Sequence, residues 1–198
     1  MKTIRRNNIS SNRFKIVFPI LTIIGIGIFA ITTSFYEKSW FYDWDGINYQ
    51  IRDSILVAQY EGISSGSVGI SPRKPKQFDR RHWSMKNATV SELQKLTEYP
   101  NGTIKTIAYE GLIRKKEFDK KTEFTIKAIK DTEYPIEYSS GCVGTPMYIG
   151  EYLVDFVLLI NDESPPLPNG LKNQFNLTQN EIESIMTEFK KQPSLWKK

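Results

Sequence analysis

The chain has 198 residues, with 27 Lys and Arg against 22 Asp and Glu for a formal net charge of +5, a length that suits one domain of ordinary size and would crowd two. The basic excess does not point to nucleic acid: Lys2, Arg5, Arg6, Arg13 and Lys15 all precede the first acidic residue, Glu37, and without those five the remaining 22 cations balance the 22 acids. A single cysteine, Cys142, excludes an intramolecular disulfide, and a single histidine, His82, excludes any site that needs two imidazoles.

From Ile16 to Phe35 the sequence IVFPILTIIGIGIFAITTSF carries no charge over twenty residues. At about 1.5 Å per residue such a helix spans roughly 30 Å, the thickness of bilayer hydrocarbon. Five cations in front and no matching cluster behind predict a cytoplasmic N-terminus, with the remainder periplasmic or extracellular. The aromatic residues Trp40, Phe41, Tyr42 and Trp44 follow as an interfacial belt would. The expected organisation is a basic tail over 1–15, a membrane-contacting signal-anchor helix over 16–36 and an extracytoplasmic domain over 37–198. The alternative is a cleaved signal peptide and a freely exported protein. The apolar run exceeds the usual length of roughly 7 to 15 residues, however, and Ala30-Ile31-Thr32 is a poor cleavage site.

Beyond the apolar segment, Ile47, Ile51, Ile55 and Ala58 recur at helical spacing, which predicts a helix capped by Asp45 and stopped at Gly62. Residues 63 to 81 are punctuated by Gly, Ser and Pro and read as a long loop or pair of turns. Thr89-Val-Ser-Glu92 has the form of a capping box, so a helix starts there, with Val90, Leu93 and Leu96 on one face. After the break at Tyr99-Pro-Asn-Gly102, a second apolar stripe runs through Ile104, Ile107, Ala108 and Leu112. Residues 119 to 130 read as a third helix capped by Asp119, although Phe124, Ile126 and Ala128 also alternate as in a strand. Tyr134 to Tyr138 and Met147 to Ile160 are rich in aromatic and β-branched residues and read as strands, the second buried on both faces with Asp155 as its exception. Thr178-Gln-Asn-Glu181 is another capping box, opening a helix whose stripe is Ile182, Ile185, Met186 and Phe189. The predicted class is α+β: an N-terminal transmembrane helix, helical hairpins, a small sheet and a C-terminal helix.

The stretch from Ala88 to Thr97, the turn Tyr99-Pro-Asn-Gly102 and the stretch from Ile104 to Ile113 resemble a HEAT-like helical hairpin. Residues 62 to 190, including Ser140-Gly141-Cys142 and the last Leu-Thr-x-x-Glu helix, look like a group of uncharacterised bacterial proteins that carry one such hairpin. That resemblance implies a protein-interaction scaffold, by analogy of fold alone. One hairpin does not make a solenoid, which stacks about three or more units, so the strands are expected to close the core.

No motif carries a cofactor. Gly62 to Gly69 lacks the ending of a phosphate loop, and Asp43-Trp-Asp45-Gly46 lacks the further ligands of a calcium loop. The sharpest enzyme hypothesis is a thiol-dependent hydrolase in which Cys142 attacks, His82 accepts the proton and an Asp such as Asp155 orients it. Against it stands the bland reading of Cys142 as a small packed residue. The basic run Arg73, Lys74, Lys76, Arg80 and Arg81, with Trp83 beside it, is a candidate contact for an anionic surface or an acidic partner. Sequons at Asn87, Asn101 and Asn176 coincide with expected helix starts, where Asn and Thr have a capping role. The overall expectation is a protein-binding or scaffolding module with no nucleic-acid partner, its oligomeric state undetermined.

Overall fold

The computed structural model describes residues 9–34, 38–71, 73–161 and 174–192, and the chain divides into two units, Met1–Trp40 and Phe41–Lys198. The first unit holds α1 (Ile9–Ser34), a helix with Pro19 inside it. Its apolar side chains, among them Phe18, Ile23 and Phe29, are exposed. Thr22, Thr32 and Thr33 turn their hydroxyls back onto carbonyls one turn earlier.

Among the described residues no helix is long and apolar enough to cross a membrane. This corrects the expectation of a transmembrane anchor over 16–36, and with it the single-pass topology and the extracytoplasmic placement of the domain. The charge-free run whose side chains are described, from Val17 to Thr33, rises roughly 25 Å as a helix, short of the roughly 30 Å of hydrocarbon. Residues 1–8 and 35–37, at either end of the expected tail and anchor, lie outside the described residues.

The second unit is α+β. In chain order it contains α2 (Tyr49–Ala58), β1 (Ile63–Val68), α3 (Lys76–Asn87), α4 (Val90–Leu96), α5 (Gly102–Arg114), α6 (Lys121–Lys130), β2 (Ile136–Gly141), β3 (Val143–Met147), α7 (Ile149–Tyr152) and α8 (Gln179–Phe189). The sheet order is β1-β2-β3, with β1 parallel to β2 and β2 antiparallel to β3.

The centre of this unit is α5. Every residue from Gly102 to Ile113 is buried, so the helix is covered all round rather than on one stripe. It packs against α2, α3, α4, α6, α7 and β2. Asn101 caps it, its Oδ1 accepting the Ile104 amide at 3.2 Å. Gly102 is required by a close approach, because a Cβ there would lie 2.7 Å from the Tyr134 carbonyl oxygen. Ile104, Ile107, Leu112 and Ile113 are wholly buried, each side chain contributing about 1.5–3 kcal/mol of apolar burial relative to exposure.

Both capping boxes form. Thr89 opens α4 and Thr178 opens α8, each hydroxyl accepting the amide three residues on while the glutamate there reaches back. Other boundaries differ from the sequence reading. Asn48, not Asp45, caps α2, since the helix begins at Tyr49 and Asp45 lies three residues ahead of the cap position. The helix ends at Ala58, before Gly62. Lys120 precedes α6 without a side-chain cap, so Asp119 is not its capping residue.

Two larger expectations fail. Residues 63–81 are not a loop, because Ile63–Val68 pairs with β2 and α3 begins at Lys76. Met147–Ile160 is not a strand beyond its first residue. It turns helical as α7 and continues through Leu158 as a wider, π-type turn that Leu159 ends at φ 56°. A run apolar on all sides does not distinguish a buried strand from a buried helix.

In α7, Gly150 lies against α6. An added Cβ would stand 2.6 Å from Ile129 Cα, a backbone atom that has no rotamer by which to yield. Gly150→Ala is expected to lower stability by about 1–3 kcal/mol. Gly66→Ala, whose new carbon would meet only the Phe78 ring at 3.5 Å, should stay within about 0.5 kcal/mol. Urea midpoints of the two variants check the contrast.

Candidate interaction surface

The five cations singled out in the sequence do not form one patch. Arg81 is buried, only 4% exposed, which removes it as a contact for any external surface. Its Nη1 donates to the Tyr152 hydroxyl at 2.9 Å, and its Nε stands 3.8 Å from Glu110 Oε2. Arg80 is half-buried and donates to Glu61 Oε2 at 2.6 Å and to Gln77 Oε1 at 3.1 Å. Lys74 is exposed and pairs with Asp79. Arg73 bridges its backbone to Val68 and leaves its side chain exposed, while Lys76 opens α3, also exposed. Arg73 and Lys76 have no ion-pair partner among the described residues.

Arg81 is drawn inward by Glu110, a wholly buried carboxylate on α5. Glu110 Oε1 accepts from Arg114 one turn on at 2.8 Å, and Oε2 accepts from the Tyr152 hydroxyl at 3.0 Å. The network thus ties α3, α5 and α7 together through one anion. Burial, followed by the Glu110 charge, holds the Tyr152 hydroxyl well above its ordinary pKa, so it stays a donor to that carboxylate. A buried ion pair of this kind adds little net stability over an apolar isostere, but removing one partner strands the other.

A second carboxylate organises the starts of α2 and α4. Glu92 Oε2 accepts the Thr89 amide at 2.7 Å and the Thr89 hydroxyl at 2.8 Å, while Oε1 accepts the Asn48 amide at 2.7 Å. One side chain therefore closes its own helix cap and fastens the start of α2. Burial acts to raise its pKa, but the Thr89 and Asn48 hydrogen bonds and the more distant Lys115 charge outweigh it and hold the group below the usual glutamate value.

At the far end of the sheet, exposed apolar side chains stand on a rigid frame. The Gly69 amide donates to the Gly141 carbonyl at 2.7 Å, which ties the turn after β1 to the tip of the β2–β3 hairpin. Gly141 takes φ +56°, the left-handed conformation that tight turn needs. Ile70 in the first turn is 94% exposed and Val143 at the start of β3 is 64% exposed. Behind them, Tyr138, Tyr152 and Phe156 form an aromatic row, with centroids 4.4 Å apart for Tyr138 and Phe156 and 5.4 Å for Tyr138 and Tyr152. Within the described sheet, β3 has β2 on one side and no strand on the other.

Cys142 lies exposed in this hairpin turn. His82 is on α3, its Nδ1 bonded to the Phe78 carbonyl at 2.8 Å and its ring against Phe78 at 4.1 Å. No hydrogen bond joins Cys142 to His82 or Asp155 among the described residues, and Asp155 accepts from Asn161 at 2.7 Å. No cluster of three or more His, Cys, Asp or Glu suited to a metal occurs among the described residues. Asn101 and Thr89 serve as helix caps, and so does Thr178, in keeping with the capping reading of all three sequons.

Sequence reasoning missed Ile70 and Val143. The available signal was an isolated branched apolar residue set among glycine and serine, with no periodic partner to bury it. Comparison with known protein families, with curated proteins and with solved structures finds no match to this chain.

Glu110→Gln is expected to destabilise the domain by about 3 kcal/mol or more, because Arg81 loses its counter-charge in the interior. The double variant Glu110→Leu with Arg81→Leu should cost clearly less than its single variants combined, which denaturant midpoints will read as a coupling between the two positions. Glu92 gives a separate acid signature. With its folded pKa below the unfolded value, its contribution is present above about pH 4.5 and fades as pH falls through the lower folded value. Glu92→Gln should flatten the acid limb of the stability–pH curve, measured as thermal midpoint between pH 3 and 6 (a span of about three units around the carboxylate range).

Proposed function

We propose that the Phe41–Lys198 unit is a protein-binding module that receives an acidic, partly apolar extended segment of another protein along β3 and the adjoining turn. The observation that carries this reading is the exposure of Ile70 and Val143 on two turns joined by the Gly69–Gly141 hydrogen bond, at the end of a sheet in which β3 has no outer strand among the described residues. A strand edge offers backbone hydrogen bonds to an extended chain, and neighbouring side chains supply selectivity. The arrangement also favours acidic partners: Arg73, Lys74 and Lys76 follow within six residues of Ile70, and two of these three lack an internal counter-charge among the described residues. This keeps the expectation of an anionic contact while moving it from the whole basic run to its first three members.

We read α4 and α5 as the single HEAT-like hairpin. They pack against each other across the Tyr99–Asn101 turn. Here α5 is also covered by the other elements, so the hairpin acts as the core and leaves the sheet end for binding. A thiol hydrolase has less support, since the one histidine engages a carbonyl of its own helix and the one thiol stands in an open turn.

The test is selection from a displayed library of extended peptides against the full chain. Selected sequences should combine acidic residues with an apolar anchor, and their affinity should fall by about tenfold or more for Ile70→Asp or Val143→Asp. Binding should also weaken as salt rises from about 50 to 500 mM, as exposed charge pairs are screened. Absence of saturable binding, or indifference to both substitutions with the thermal midpoint unchanged, would overturn the reading.

A further inference from the structure

A cleft of about 440 Å³ opens where the starts of α2 and α4 meet the last turn of α3, with Asn48, Gln50, Trp83, Asn87 and Glu92 in its lining. That volume falls within the roughly 300–1,000 Å³ of small-molecule sites. The one charged group in the lining, Glu92, is satisfied by Thr89 and Asn48. Those donors are neutral, so Glu92 keeps its negative charge, and with no cation in the lining the cleft disfavours an anionic ligand.

It also presents half-used amides at its exposed rim. Asn48 Oδ1 accepts the Gln50 amide at 2.9 Å, which leaves its Nδ2 as a donor. Asn87 Nδ2 donates to the Trp83 carbonyl at 2.8 Å, which leaves its Oδ1 as an acceptor. In each case the bonded atom sets the orientation, because only an amide oxygen can accept and only an amide nitrogen can donate. Gln50 is held in the same way through Tyr49, its Nε2 donating to the tyrosine hydroxyl at 3.2 Å. Trp83 lines the same cleft with its side chain 40% exposed. An indole face, amide donors and acceptors, and a carboxylate able to accept further hydrogen bonds together suit a ligand with an apolar C–H face and a rim of hydroxyls.

We propose that this cleft binds a neutral saccharide, with one sugar ring against Trp83 and its hydroxyls bonded to Asn48 and Asn87. The site is separate from the sheet end assigned to protein binding, and neither reading depends on the other. An anionic ligand would find no counter-charge here and would meet the Glu92 carboxylate. An apolar ligand would strand the free amide atoms, whose burial without a partner is costly.

The experiment is calorimetric titration of the full chain with neutral tetrasaccharides of β-1,4-linked glucose, β-1,4-linked N-acetylglucosamine and α-1,4-linked glucose, up to about 10 mM each. At least one should bind saturably, with affinity reduced by about tenfold or more in Trp83→Ala, largely recovered in Trp83→Phe and reduced again in Asn87→Leu. Because a variant can fail for reasons of folding, the unaltered chain supplies a second readout: saturating sugar should slow oxidation of Trp83 by N-bromosuccinimide, followed by peptide mass spectrometry. The proposal is overturned if no tetrasaccharide binds, if bound sugar leaves Trp83 oxidation unchanged, or if adenosine or a uronic-acid oligomer binds in preference.

Discussion

An ionised carboxylate at the centre of a protein must be compensated where it sits, and Glu110 imposes that condition on this fold. It lies on α5, a helix buried on all sides. Arg81 is therefore pulled in from α3, Tyr152 is oriented from α7, and Arg114 is bent back along α5. These contacts set the rotation of α3 about its own axis. Once Arg81 faces the core, Trp83 and Asn87 stand on a different side of the helix and line the cleft against α2 and α4. The polar centre and the outer cleft are consequences of one helix phase.

Glu92 plays a related part at lower burial energy. Its carboxylate accepts the amides at the starts of two helices, where the backbone leaves donors unsatisfied and the helix dipole favours negative charge. A single residue thus joins the capping residues of α2 and α4, Asn48 and Thr89, through one carboxylate. The other end of α4 is held by an aromatic contact: Tyr42, Trp44 and Tyr99 meet with centroids 4.7 to 5.5 Å apart, and the Tyr42 hydroxyl donates to the Lys95 carbonyl.

Much of the helical framework was legible in the sequence because its signals are local. The Thr89 and Thr178 boxes specify their own hydrogen bonds within three residues, and the Ile104–Leu112 stripe lies wholly inside one helix. What was illegible depends on partners distant in the chain. Ser64, Ser65 and Gly66 have little strand propensity, and they form β1 because β2 lies alongside. The Met147–Ile160 run is apolar at every phase, so neither helical nor strand period stands out. Arg81 reads as a solvated cation until α5 supplies Glu110. The interaction surfaces were hidden for a similar reason: Ile70 and Val143 gain meaning only when the Gly69–Gly141 hydrogen bond brings their two turns together.

The parallel pairing of β1 with β2 has a bearing on how the chain is made as well as on how it stands. Ile63 waits for Tyr138, about 75 positions later in the sequence. At a synthesis rate of roughly 5–20 residues per second, the first strand leaves the ribosome roughly 4–15 s before its partner exists. During that interval the capped helices can assemble from local contacts, whereas β1 has no edge to join. Its sequence of small polar residues, poor as a strand former, is well suited to that delay: a segment that must remain single for seconds is safer when it has little tendency to pair with copies on neighbouring ribosomes.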